Sequence, residues 1–255
     1  MKKFALLIVL ALTIAACDDN DDAAQPDNVT VELRFTQNWD GQEVSQADFA
    51  TTTYTNAHGE DLTIDRLRYL ISDIRLESSS GAVIELSDYN FIDVGAATGL
   101  VLMPNVEIPE GTYRLKARFG FDDEDNVDGA YPDLNSVSWN VPAPMGGGYH
   151  YMQLEGKFIN DTGDEQSFQY HTIRANDMNT TPITLQDTSI DLDLGELTLN
   201  NDASIEIAMN VAEWFKNPNE WDLNVLNAAL MPNFDAQIMM NENGQNVFEL
   251  GAVSQ

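Results

Sequence analysis

From Val29 onward the chain alternates apolar and polar residues with a period of two, interrupted at short intervals by turn-forming pairs, and this commits it to β structure. Val29, Val31, Leu33 and Phe35 alternate with Thr30, Glu32, Arg34 and Thr36. Tyr113, Leu115, Ala117, Phe119 and Phe121 alternate with Arg114, Lys116 and Arg118, so one strand carries a basic outer face. That stripe is expected to pair with acidic residues on adjacent strands. Over 62–76 the pattern starts in one phase (Leu67, Tyr69, Ile71) and resumes in the other (Ile74, Leu76), which predicts a bulge near Ser72-Asp73. Further strands are expected over 83–86, 91–94, 149–158, 168–173, 190–194, 205–211, 236–240 and 247–250. Asp40-Gly41, Ser80-Gly81, Glu110-Gly111, Thr162-Gly163 and Asn243-Gly244 mark turns. Helix is expected only as a single turn over 212–216 and a short amphipathic piece over 220–230. The fold class is therefore all-β: an antiparallel β-sandwich with at most one or two short helices.

The N-terminus bears on location. Lys2 and Lys3 precede an apolar run over 4–14, too short to span a bilayer and shaped like a secretory signal. It closes on Ile14-Ala15-Ala16-Cys17, with small residues before the only cysteine of the chain. This is the pattern of a lipoprotein signal, in which residues 1–16 are removed and Cys17 carries the lipid. Residues 17–28 are polar and acidic without periodicity and read as a flexible tether. Residues 29–255 read as one domain, since no repeat or second linker divides them. The acidic residues directly after Cys17 resemble the signal that sends many Bacteroidota lipoproteins to the cell surface. An outer-membrane lipoprotein is expected, with a periplasm-facing one as the alternative.

Charge excludes some partners. The chain has 12 basic and 42 acidic residues, a net charge of −30. Nucleic acid and anionic lipid surfaces would be repelled, so any membrane association is expected through the lipid anchor alone. No nucleophile elbow, phosphate loop or zinc-protease helix motif is present. With three histidines and no further thiol, the means for acid–base or nucleophilic catalysis are thin, and a non-enzyme is expected.

Imidazole and thioether suit a different task, since both are ligands that copper accepts. The candidates are His171, His150, His58 and Met152. His150 and Met152 would share a face of one strand, and His171 lies on the next, so the three would converge if those strands form a hairpin. The run His150, Met152, Leu154 reads equally as a buried face. His58 sits in an Asn56-Ala57-His58-Gly59 turn.

Several segments resemble one family in their order along the chain. They are Tyr54 to Ile64 with Arg66 to Leu76 behind it, Gly111-Thr112-Tyr113 leading to Phe119-Gly120-Phe121-Asp122, and Trp139 followed by Gly148-Tyr149. Leu154-Glu155-Gly156, Tyr170-His171 and Met209 to Phe215 complete the set. Together they resemble the MbnP-like proteins across the whole mature domain. The resemblance implies an exported β-sandwich that binds copper in bacterial copper acquisition, working with a dihaem cytochrome-peroxidase-like partner. It implies that the partner oxidises a tryptophan to kynurenine beside a histidine copper site. Trp139 is the modification candidate carried over and His171 the ligand candidate, while the pattern does not support His150. Where some members carry an Asn-His pair, this chain has an acidic run, and Glu124, Asn126 and Asp128 approach the spacing of a calcium loop. The alternative is thus a non-catalytic recognition or structural lipoprotein on the cell surface, stabilised by calcium.

Overall fold

The main strands, in chain order, are β1 (Val31–Trp39), β2 (Asp61–Ser78), β3 (Val83–Asp93), β4 (Gly111–Phe119), β5 (Met152–Ile159), β6 (Glu165–Thr172), β7 (Ile190–Leu199), β8 (Ala203–Asn210) and β9 (Phe248–Ser254). Two helices join them, α1 (Pro132–Ser136) and α2 (Phe234–Gly244). This computed structural model describes residues 27–255. The expected signal, Cys17 and nearly all of the tether lie outside the described residues.

One sheet runs β6–β5–β2–β4–β7, antiparallel throughout, with β3 on the other edge of β2. The second runs β9–β8–β1, where β8 is antiparallel to β9 and parallel to β1. Alternation in sequence reports which face is buried, not strand direction, so this parallel pair had no signal. The inward residues of both sheets, among them Leu33, Phe35, Tyr69, Ile71, Ile205 and Ile207, form one continuous core. Burial of each such side chain contributes about 1.5–3 kcal/mol. Gln37 Nε2 donates to Tyr69 Oη at 2.8 Å and ties the sheets together through a buried polar contact.

The 18 residues of β2 hold this arrangement in register. Its phase change is a bulge: pairing to β4 shifts between Ser72 and Arg75, and Asp73 takes a left-handed φ of 50°. Leu67, Tyr69 and Ile71 before it and Ile74 and Leu76 after it therefore all reach the same core. The basic stripe of β4 also meets its expected partners. Arg114 pairs with Asp193, Lys116 with Glu77, and Arg118 with Asp73, Asp122 and Asp191.

A second consequence of the length of β2 is that it has two partners in line on one edge. Residues 62–69 pair with β5 and residues 71–78 with β4. Leu70 is the junction: its N–H donates to Tyr151 O at 2.9 Å, and its carbonyl accepts from Gly120 N–H at 3.0 Å. The chain between Gly120 and Tyr151 has no room in the sheet there. It leaves over the outer face, where Leu70, Phe121, Leu134, Trp139 and Tyr149 form a small separate core.

Two expected elements differ. Residues 236–240, read as a strand, lie within α2. Ala236, Ile238 and Met240 alternate as a strand would, but the face the helix buries is Ala236, Gln237, Met240, Asn243 and Gly244, two of them polar and so invisible to an apolar pattern. Asn233, whose side chain accepts from Ala236 N–H at 3.1 Å, caps the helix. Residues 220–230, read as a helix, are turns. Asp222 Oδ1 accepts from Asn224 N–H at 2.8 Å, an Asx turn that competes with helix propagation. The spans 83–86 and 91–94 are the two ends of the single strand β3.

Gly120 is where β4 turns out of the sheet, with φ of 82°, and a Cβ there would lie 2.4 Å from the Tyr151 ring. Gly120→Ala is expected to destabilise the domain by about 1–3 kcal/mol or more, measured by urea unfolding. A change below the error of the measurement would show that the junction tolerates a side chain.

Candidate metal centre

The Thr162-Gly163 turn joins β5 and β6 as a hairpin, with Gln153 opposite His171 and Glu155 opposite Gln169. Alternate positions share a face, so Gln153, Glu155 and His171 lie together on the outer face while Met152, Leu154 and Tyr170 enter the core. On the other side of β5, β2 places Arg68 opposite Gln153 and Arg66 opposite Glu155. Glu155 Oε1 lies 2.8 Å from His171 Nε2 and accepts from Arg66 at 2.9 Å. The hydrogen bond to His171 is the main cause holding the Glu155 carboxyl below its usual range. Gly156 follows at a register shift, and a Cβ there would lie 1.9 Å from Thr63 O, so only glycine lets β5 approach β2 at this row.

The excursion from Gly120 to Tyr151 folds back over that row. An antiparallel bridge between Asn140 and Tyr149 sets Trp139 beside His150. His150 N–H donates to Trp139 O at 3.0 Å, and His150 Nδ1 lies 2.9 Å from the same carbonyl. A carbonyl only accepts, so Nδ1 carries the proton and Nε2 keeps the lone pair. Nε2 is buried and has no hydrogen-bond partner. Burial pushes the His150 pKa down to about 4, so the ring is neutral at neutral pH. His171 meets it edge-on, with ring centroids 5.4 Å apart. Because His171 turns Nε2 to Glu155, Nδ1 is the nitrogen left for a ligand.

Trp139 completes the cluster. It is fully buried, its ring centroid is 5.5 Å from that of His150, and its Nε1 has no acceptor. Phe91 packs edge-on at 4.8 Å and the Arg68 guanidinium lies 5.6 Å from the Trp139 ring centroid. Arg68 is held by an ion pair to Asp93 at 3.0 Å and donates to Val137 O at 3.3 Å, which fastens the excursion to the sheet.

The structure thus brings His150, His171 and Trp139 together, although the resemblance had set His150 aside. Met152 is not with them: it belongs to the main core, since the strand begins there and its neighbour Gln153 takes the outer position. His58 stands apart, at the start of β2 beside Glu60 and Asp222. Glu124, Asn126 and Asp128 have different surroundings. Asn126 is buried and both ends of its amide are engaged, Oδ1 accepting from Tyr149 N–H at 2.8 Å and Nδ2 donating to Tyr151 Oη at 3.2 Å, while Glu124 and Asp128 are exposed. Cys17 lies outside the described residues.

Sequence reasoning missed Glu155 and Arg68 as parts of the site. Centring a hairpin on Thr162-Gly163 would have put Glu155 diagonally across from His171. No local signal places Arg68, whose side-chain partner Gln153 is 85 residues away in the chain.

The donor set fits a metal ion. Two rings sharing one ion at about 2.0–2.1 Å per nitrogen have centroids within roughly 6 Å of each other; those of His150 and His171 are 5.4 Å apart, and Nε2 of His150 is buried and unpartnered. In sequence, the family model of MbnP matches residues 28–239. The chain belongs to the MbnP family. Among solved structures, MbnP from Methylosinus trichosporium is similar with a TM-score of 0.53 and 14% identity, covering 89% of this chain and 99% of that one. At that identity the likeness to MbnP is one of fold. No curated protein matches the chain in sequence.

The depressed pKa of His150 makes a prediction for this MbnP-family domain. The unfolded chain binds a proton at this residue below pH 6.5 and the folded protein only near pH 4, so the stability it contributes is complete above 6.5 and is lost as pH falls through 4. The loss amounts to about 3 kcal/mol. In metal-stripped protein, His150→Gln is expected to flatten the fall of unfolding free energy between pH 6.5 and 4. The same slope in both proteins would mean that the acid sensitivity arises elsewhere.

Proposed function

We propose that this protein is an exported copper-binding lipoprotein of copper acquisition, in which His150 Nε2 and His171 Nδ1 hold one copper ion beside Trp139. The observation that carries this reading is the buried lone-pair nitrogen of His150, without a partner, next to a second imidazole. A buried acceptor left unpaired costs about 1–3 kcal/mol, and a bound cation would relieve that cost. Two imidazoles with no thiolate suit copper among the metals met outside the cytoplasm. Glu155 serves by fixing the tautomer and aim of His171, and Arg66 and Arg68 fix the row on which Glu155 stands. Bound copper would supply a redox-active cation, and the chain itself binds without catalysing a reaction.

Trp139 is the residue proposed for oxidation to kynurenine by a dihaem peroxidase-like partner. Its complete burial means that such a partner acts at a distance and not by touching the ring: four electrons would leave through the packed aromatic shell to peroxide reduced at the partner, water would supply the oxygen, and the lost ring carbon would depart as formate. An indole N–H is a donor only, whereas the aryl amine of kynurenine has a lone pair for a metal. The modification would therefore add a third donor beside the two imidazoles. Lipid on Cys17 would hold the domain at the outer membrane, on the cell surface.

Copper(I) titration against a chromophoric chelator is expected to show about one ion per chain. His150→Ala and His171→Ala should each weaken binding about tenfold or more, while Met152→Leu leaves it unchanged. Peptide mass analysis of protein made in its native host should find kynurenine at position 139. Undiminished affinity in both histidine variants would remove this site. A melting temperature raised by calcium and indifferent to copper would favour the recognition sandwich instead.

A further inference from the structure

A second set of ligand atoms converges where the turn leading into β2 meets residues 221–224. Asn56 closes that turn, its Oδ1 accepting from Gly59 and Glu60 N–H at 2.9 Å each and its Nδ2 donating to Trp221 O at 3.3 Å. His58 and Glu60 are thereby set against Asp222. His58 Nδ1 lies 2.8 Å from Glu60 Oε1 and 3.8 Å from Asp222 Oδ1. One imidazole nitrogen and one oxygen from each carboxylate fall within 4.8 Å of one another.

Glu60 is the unusual member. Its side chain is 4% exposed, and Oε1 is crowded: besides His58 it accepts from Leu223 N–H at 3.1 Å and Asn224 Nδ2 at 2.8 Å. Oε2 is buried and no donor reaches it, and the Asp222 carboxyl lies close beside the Glu60 carboxyl. Buried carboxylate oxygens are normally satisfied, and a second carboxylate alongside increases the cost of leaving one bare. A cation would meet both demands.

We propose that His58, Glu60 and Asp222 form a second metal site, for a divalent cation of borderline character, with zinc the nearest fit. One imidazole and two carboxylates match the ligands and the number that zinc takes when a water completes its tetrahedron. Calcium would need six to eight oxygens, and two carboxylates to one imidazole are too hard a ligand set for copper(I). The His58 and Asp222 side chains are each 34% exposed, which leaves an entry path and room for that water. Leu62, beside this turn, and Arg68, in the row under Trp139, are six steps apart along β2, a span of about 20 Å. The site is therefore independent of the His150–His171 pair.

The test is isothermal titration of chelator-stripped mature domain with zinc chloride, alongside thermal melts in zinc and in calcium. Wild type is expected to take up zinc and melt higher with it. Asp222→Asn and His58→Gln, both at partly exposed side chains and checked for folding by circular dichroism, should each lower zinc affinity about tenfold or more. His171→Ala should retain that zinc affinity. No zinc uptake by wild type, unchanged affinity in both variants, loss confined to His171→Ala, or a melt that responds to calcium and not to zinc would each overturn the assignment.

Discussion

The structure depends on one strand outlasting its neighbours. Across β2 the edge that serves β5 also serves β4, and the handover occurs at the two backbone hydrogen bonds of Leu70, to Tyr151 and from Gly120. Backbone groups in a sheet must be paired, so the chain joining β4 to β5 cannot stay in the layer at the point of handover. It is forced out over the face that does not bury the main core. Trp139 and His150 come to stand above the row of Arg68, Gln153 and His171 for this reason. The small aromatic core around Leu70 then holds them there.

That placement determines the chemistry of the histidines. The same carbonyl of Trp139 accepts from the backbone and faces the Nδ1 of His150, so the lone pair is sent to the other ring nitrogen. Burial keeps the ring neutral, and His171 is oriented by Glu155 in turn. The Nε2 lone pair of His150 is therefore free of a proton at neutral pH. The rest of the acidic surface is managed by cross-strand pairs such as those of the β4 stripe, which concentrates the few basic residues where two sheet neighbours both carry carboxylates.

Much of the fold was legible. The phase change between Ile71 and Ile74 announced the bulge because a period of two cannot slip without an extra residue, and Arg114, Lys116 and Arg118 announced acidic partners. Residues 236–240 misled because the helix buries polar Gln237 and Asn243 beside Ala236 and Met240, so its apolar residues alone alternate as in a strand, while Asn233 caps the helix. Of the site, His171 and Trp139 were singled out, and the Thr162-Gly163 turn allowed, without requiring, the hairpin that carries His171. Met152 was misplaced because the reading assumed that His150 already lay in the strand. The backbone is irregular until Met152, so the alternation does not run through.

By itself the sequence determined that the chain is a β-sandwich, where its strands bulge and turn, and which family order its segments follow, because these depend on local periodicity and turn chemistry. Tertiary structure alone decided that β8 runs parallel to β1, that Arg68 lies under Trp139, and that His150 joins His171 while Met152 does not. Those contacts link residues far apart in the chain, or turn on where a strand begins. Local pattern carries no term for either: the contacts around Trp139 and His150 were fixed by the pairing of β2 with two partners at Leu70, and the parallel pair by the packing of the second sheet.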